Sequence, residues 1–185
     1  MLDDVYQEIE HKMERSIEAL HKELARIRTG RASLALLDGI TIDYYGSPTP
    51  LNQVATLAVP ESRLITIQPW DKSQLGLIEK AIQRSDLGIT PTNDGQVVRL
   101  AIPALTAERR QELVKQVKKI GEETKIALRN VRRDGNDTLK SLEKDKQVSE
   151  DEWRRGQEHV QSITDRFIAK TDEILSTKEH EVMEV

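Results

Sequence analysis

Residues 106–144 read TAERRQELVKQVKKIGEETKIALRNVRRDGNDTLKSLEK, and the fold of the chain turns on that stretch. Leu113, Val117, Ile120, Thr124, Leu128, Val131, Leu139 and Leu142 recur in one helical phase, which puts them on one face of a long helix. Thr106 with Glu108 opens it, supplying a side-chain acceptor and negative charge where the first backbone N–H groups are unpaired. The phase is kept across Gly135, so Asp134-Gly135-Asn136 is expected to weaken the helix by about 1 kcal/mol and not to end it. At 1.5 Å per residue the helix would run roughly 60 Å. A helix with a single apolar stripe has to bury it against neighbours.

Those neighbours lie at the two ends of the chain. Leu2, Val5, Ile9, Met13, Ile17, Leu20, Leu24 and Ile27 form a second stripe, with Gly30 as its expected stop, over roughly 40 Å. Ser149-Glu150-Asp151-Glu152 is a capping-box sequence, and Trp153, Val160, Ile163, Phe167, Ile174 and Val182 keep helical phase behind it for roughly 50 Å. Three such stripes are buried together by an elongated three-helix bundle of residues 1–30 and 105–185.

Residues 31–104 have a different composition. Ile40–Tyr45, Leu64–Gln68 and Val97–Ile102 are short β-branched or aromatic runs of period two, and Leu75, Ile78 and Ile82 suggest one helix among them. All 6 prolines fall in this section, and Gly46-Ser47-Pro48 and Asp94-Gly95 punctuate it, the latter as a hairpin signal. The expected fold class is therefore α+β, with a small β/α/β domain inserted between the first and second bundle helices. Two short stretches connect it, Thr29, Gly30 and Arg31 on one side and Pro103, Ala104 and Leu105 on the other. Such a double connection permits hinge bending, and it equally suits a fixed elbow.

The 185 residues include no Cys, which excludes a disulfide framework, a thiolate nucleophile and a Cys-based zinc site. No apolar run approaches the ~18 residues of a membrane span, and the acidic start Met1-Leu2-Asp3-Asp4 is unlike a secretory signal. The expected location is the cytoplasm. Phosphate-binding loops of the G-x-x-x-x-G-K-[ST] and G-x-G-x-x-G types are absent, as are H-E-x-x-H and G-x-S-x-G. His11, His21, His159 and His180 share no ligand spacing and read as surface residues. Neither an active site nor a cofactor nor a metal is expected.

Charge is informative once it is divided along the chain. The formal net charge is −4, yet residues 106–133 carry 9 basic and 4 acidic side chains. Local fields decay within ~8–10 Å, so this block, and not the total, decides what binds. At 100° per residue Lys118, Lys125, Arg129 and Arg132 fall within about 60° of one another, flanked by Lys115 and Arg133. The apolar stripe lies roughly a third of a turn away, so ridge and bundle contact are expected on separate faces, with Glu122 inside the ridge. Only 3% of residues are aromatic, and Trp153 and Phe167 belong to the core pattern. An RNA partner would accordingly be held by its phosphates and shape, with little base readout.

Several segments, in this order, carry a resemblance. They are Arg28-Thr29-Gly30-Arg31-Ala32, Tyr44-Tyr45-Gly46-Ser47-Pro48-Thr49-Pro50-Leu51-Asn52-Gln53, Ser85-Asp86-Leu87-Gly88, Asp94-Gly95, Arg99–Thr106 with Glu108-Arg109-Arg110, Arg129–Asp134, and Ser149-Glu150-Asp151. Together they resemble the bacterial ribosome recycling factors over the full length. The resemblance implies an L-shaped monomer that splits post-termination ribosomes into subunits with elongation factor G and GTP, before initiation factor three acts. It implies a bundle lying on large-subunit ribosomal RNA and an inserted domain met by elongation factor G. By position, the family's RNA-contacting arginines fall on Arg129 and Arg132, with Arg28, Arg31 and Arg110 near the hinge. A rival reading of the same residues is a helical-bundle protein–protein adaptor whose basic ridge only confers solubility.

Overall fold

The structure of the chain is a computed structural model that describes residues 1–184. It divides into two compact units, Met1–Arg28 with Thr106–Val185, and Thr29–Leu105.

The first unit is a three-helix bundle of α1 (Leu2–Ala25), α3 (Ala107–Lys144) and α4 (Glu150–Met183), with α2 (Leu75–Arg84) belonging to the insert. At 24, 38 and 34 residues, their lengths are about 36, 57 and 51 Å. The stripes interlock as the periodicity requires. Ile9, Met13 and Ile17 of α1 share one core with Leu128 and Leu139 of α3 and with Val160, Ile163 and Phe167 of α4. Thr124, Thr164 and Thr171 are buried polar residues, and each hydroxyl donates to the carbonyl one turn earlier, so none carries an unmet hydrogen bond into the core.

Helix ends follow the cap chemistry. The Thr106 hydroxyl accepts from Arg109 N–H at 3.1 Å. At α4 the box is closed both ways: Glu152 N–H donates to Ser149 Oγ at 3.1 Å, and Ser149 N–H to Glu152 Oε2 at 2.7 Å. Between α3 and α4 the chain reverses through Lys146 at φ 56°, with Lys146 N–H on Glu143 O and Gln147 N–H on Leu142 O. That pair of bonds is a Schellman ending with lysine where glycine is usual.

Two expectations about helix breaks are refined. Helix α3 runs unbroken through Gly135, and a Cβ there would overlap the Ile9 Cδ1 methyl of α1. Glycine is therefore a packing requirement at that crossing, as is Gly121, where a Cβ would overlap the head of Leu175. Helix α1 stops at Ala25, five residues before Gly30. Arg26 and Ile27 tighten onto the Glu23 and Leu24 carbonyls at 3.3 and 3.1 Å, a final turn that keeps Ile27 buried.

The insert holds a two-stranded sheet of β1 (Thr41–Tyr44) and β2 (Ser47–Pro50) and a four-stranded antiparallel sheet. The latter comprises β3 (Ala55–Glu61), β4 (Leu64–Pro69), β5 (Thr92–Asn93) and β6 (Val98–Ala101) in the order β3-β4-β6-β5, and α2 (Leu75–Arg84) packs beside them. Ile42, Leu51, Ile65, Ile67, Ile78, Ile82, Val98 and Leu100 form its own core. Strands β1, β4 and β6 and helix α2 are the elements that periodicity picks out. Strands β2, β3 and β5 are additional to it. The architecture is thus α+β, a three-helix bundle with an inserted β/α/β unit.

Candidate nucleic-acid interface

The cations singled out by helical spacing all stand on α3, and the helix sets their exposure. Lys118 and Arg133 are exposed, while Lys125, Arg129 and Arg132 are half-buried. The expectation of a ridge on its own face is modified by α4. Lys125 Nζ lies 2.5 Å from Asp172 Oδ1. Arg132 Nη1 donates to Gln161 Oε1 at 3.4 Å, and Gln161 in turn is oriented by donating to Asp165 at 2.8 Å. Arg129 Nη1 pairs with Glu122 Oε1 at 3.3 Å along α3 itself. The row therefore forms the margin of the α3–α4 seam. Its angular offset from the apolar stripe is small enough for α4's polar edge to reach it.

This arrangement grades the cations by availability. Lys115, Lys118, Lys119 and Arg133 make no ion pair among the described residues and are exposed, so their charge faces solvent undiminished. Arg129 and Arg132 are held, each through a single Nη1 contact, which leaves other guanidinium donors for an oxygen ligand. Lys125, 21% exposed, is the most committed. A shallow depression of about 330 Å³ beside Lys118 and Lys125 is bounded on its far side by Asp172 and Glu179. Spacing along one helix disclosed Glu122 but had no means of showing Gln161 or Asp172, which come from another element.

The remaining candidates stand outside the row in sequence. Arg110, in the first turns of α3, is half-buried, and its Nε has no hydrogen-bond partner among the described residues. Arg28 and Arg31 are exposed on the two sides of the boundary between the units. In the connecting stretches Gly30 has φ 77°, and a Cβ there would come within 3.1 Å of Leu105 Cγ. The residues that flank these stretches on the insert side are tied to one turn of the insert, Ala32 N–H to Ser62 O at 2.7 Å and Ile102 N–H to Arg63 O at 2.8 Å. Thr29 and Gly30 are half-buried, and Pro103 and Ala104 exposed.

Within the bundle the aromatic side chains are packed, and the exposed ones, Tyr44, Tyr45 and Trp70, belong to the insert. Phe167 is buried, and Trp153 packs under Lys140 Nζ, 4.0 Å from the ring centroid. His159 stands against Tyr6 with ring centroids 4.2 Å apart. Among the described residues no group of three or more His, Asp or Glu is placed to hold a metal ion. No helix of the described residues is long and apolar enough to cross a membrane.

The model of the family described as ribosome recycling factor matches residues 20–183. The chain is 54% identical over 184 residues to the ribosome-recycling factor of Oleidesulfovibrio alaskensis, covering all of both chains. It is 57% identical over 185 residues to that of Carboxydothermus hydrogenoformans, again covering both entirely. A solution structure of a ribosome recycling factor superimposes with a TM-score of 0.76 at 41% identity, covering 100% of this chain and 98% of the other. A chain from models of the T. thermophilus ribosome recycling factor and the E. coli elongation factor G, bound to the E. coli post-termination complex, gives a TM-score of 0.64 at 45% identity, covering both in full.

Proposed function

The chain belongs to the ribosome recycling factor family, and on that footing we propose that it splits post-termination ribosomes into subunits together with elongation factor G and GTP, gripping large-subunit ribosomal RNA with the cationic flank of α3. The observation that carries the RNA reading is the row of Lys118, Lys125, Arg129, Arg132 and Arg133 on one side of a 38-residue helix. Phosphate oxygens suit those groups: an arginine fork offers two parallel donors, and each neutralised phosphate releases condensed counterions. With no phosphate-cradling loop in the sequence, the nucleotide belongs to the partner GTPase and the chain transmits its work.

Transmission needs a stiff part and a movable part. The bundle supplies stiffness through three helices packed along their length, two of them, α3 and α4, capped at their starts by Thr106 and Ser149. The insert supplies movement, pivoting at the Arg28–Thr29 and Leu105–Thr106 junctions. Ala32 and Ile102 are both bonded to the Ser62–Arg63 turn and would travel with it. Thr29, Gly30, Arg31, Pro103, Ala104 and Leu105 then form the insert's side of the hinge.

Sedimentation with purified large subunits at 50 and 200 mM salt tests the grip. Neutralising about four phosphates implies a loss of affinity on the order of 100-fold across that range. Arg129→Glu and Arg132→Glu should each weaken binding about tenfold at the lower salt. Arg154→Glu, at an exposed position paired among the described residues only with Glu150 on its own helix, should leave it unchanged. Binding insensitive to salt and to both reversals overturns the RNA reading. A cross-link locking insert to bundle should preserve large-subunit binding and abolish splitting; splitting by the locked protein removes the lever.

A further inference from the structure

The first hairpin of the insert has two unequal edges. Strands β1 and β2 are joined by Tyr45 and Gly46, at φ 51° and 86°, a two-residue turn with both residues in the left-handed region. In such a hairpin the closing pair, Tyr44 and Ser47, exchanges both backbone hydrogen bonds, and so does every second pair beyond it. Ile42 and Thr49 are the next bonded pair. Thr41 opposite Pro50 and Asp43 opposite Pro48 point their backbone groups to the outer edges.

On β2 those outer positions are prolines, which carry no N–H, and the edge is closed to a further strand. On β1 the outer positions leave the N–H and C=O of Thr41 and Asp43 available, and the two-stranded sheet ends there. Beyond that edge lies a groove of about 710 Å³ between residues 38–43 and the α2 side chains Leu77, Lys80 and Arg84, with Asp86 just past the end of α2 also on its wall, so that the two cations share the groove with Asp38, Asp43 and Asp86. Leu77 is 41% exposed. Lys80 and Arg84 are exposed and make no ion pair among the described residues. They sit one turn apart, about 6 Å along the helix, close to the ~6.8 Å between alternate residues of a strand.

We propose that the β1 edge receives an extended segment of a protein partner by strand addition, with carboxylates at alternate positions directed at Lys80 and Arg84. The edge supplies main-chain hydrogen bonds, Leu77 an apolar contact, and the two α2 cations the preference for acid. The other face of the added strand would run beside the Asp43 side chain, where a further carboxylate is repelled. The required segment is thus alternately acidic and not uniformly so. A nucleic acid could meet Lys80 and Arg84 but would bring phosphates against Asp38 and Asp43 and could not pair with the strand edge. The assignment stands independently of the ribosomal reading.

Panning a displayed random decapeptide library against the full chain, with K80E/R84E in parallel, tests it. Enriched peptides should carry carboxylates at alternate positions and bind K80E/R84E at least tenfold more weakly. N-methylation of the alternate peptide amides that face β1 should abolish binding while leaving the protein untouched, and methylation of the other set should not. In amide hydrogen exchange on the full chain, Thr41 and Asp43 should be fast when free and protected by the peptide, with Ile42 slow throughout. The proposal is overturned if no peptide is enriched over background. It falls equally if enriched peptides tolerate either set of N-methyl groups or ignore K80E/R84E, or if a single-stranded oligonucleotide protects the same amides.

Discussion

In the bundle, one helical phase of apolar residues continues down α3, and Val117, Leu128 and Leu139 are sealed between two other helices. In the insert no element exceeds 10 residues, and Ile65, Ile67, Ile78 and Leu100 meet only because turns bring two strands and a helix together. The bundle's contacts repeat along a line, so its stiffness is distributed. The insert's contacts converge on a point, so its stability depends on a few side chains and on the turns that deliver them. That contrast is what the proposed division of labour, between an extended anchor and an insert that moves, requires.

Core truncation is the strongest way to break the comparison. Leu128→Ala and Ile67→Ala remove side chains that are both 0% exposed, and each should cost about 2–5 kcal/mol. Their reach should differ. Hydrogen exchange on Leu128→Ala should lose protection in α1, α3 and α4 together, because α3 packs against both partners. Ile67→Ala should lose it in the insert alone. Deprotection of mid-α3 amides by Ile67→Ala would show that the two cores are not separate folding units.

Caps come next. Ser149→Ala removes one leg of a box that closes both ways, and Thr106→Ala removes the single acceptor at the start of α3. Each should lower stability by about 1 kcal/mol, read as a drop in the bundle's unfolding midpoint with the insert's unchanged.

The insert's counterpart is Asp94. The Arg99 guanidinium, then the Val97 and Gln96 N–H groups, hold its carboxyl well below the ordinary carboxylate range. Because the unfolded carboxyl takes its proton first, the stabilisation is complete above the ordinary value of about 4. It drains as pH falls towards and through the folded value. Asp94→Asn should flatten the insert's acid-side stability profile. In the bundle Glu152 is lowered by the backbone N–H and hydroxyl of Ser149, so its loss on acidification should follow the same sign at the start of α4. An insert profile unchanged by Asp94→Asn would mean that the hairpin is held by its strands and not by its loop.

The two regions also differed in how plainly they could be read. Three helices were legible because a 3.6-residue phase repeated over ten turns outweighs one glycine, and cap residues marked two of the starts. Gly135 misled only about cause: sequence shows a weak helix former but not the Ile9 methyl that needs its space. In the insert, prolines spoke against strands that exist. Pro48 and Pro50 occupy outer-edge positions of β2, where no N–H is required, and Pro60 falls where the β3–β4 register shifts between Ala58 and Glu61. The α3 cations were legible as a row, because one helix's geometry is fixed by its sequence. Their pairing was not, because Asp172 and Gln161 arrive from α4.

That last point gives the finest test of the charged row. Asp172→Asn keeps the size and one oxygen of the side chain but removes the charge that Lys125 Nζ meets at 2.5 Å. Asp172 is 56% exposed, so losing the pair should change stability by less than about 1 kcal/mol. Large-subunit binding should respond more visibly, because a cation that was locally neutralised becomes free to meet phosphate. The expected gain is about two- to threefold at 50 mM salt, shrinking at 200 mM as screening shortens the reach of the added charge. Weaker binding by Asp172→Asn would carry the opposite lesson. It would mean that Asp172 aims Lys125 instead of silencing it, and that α4 takes part in building the interface it borders.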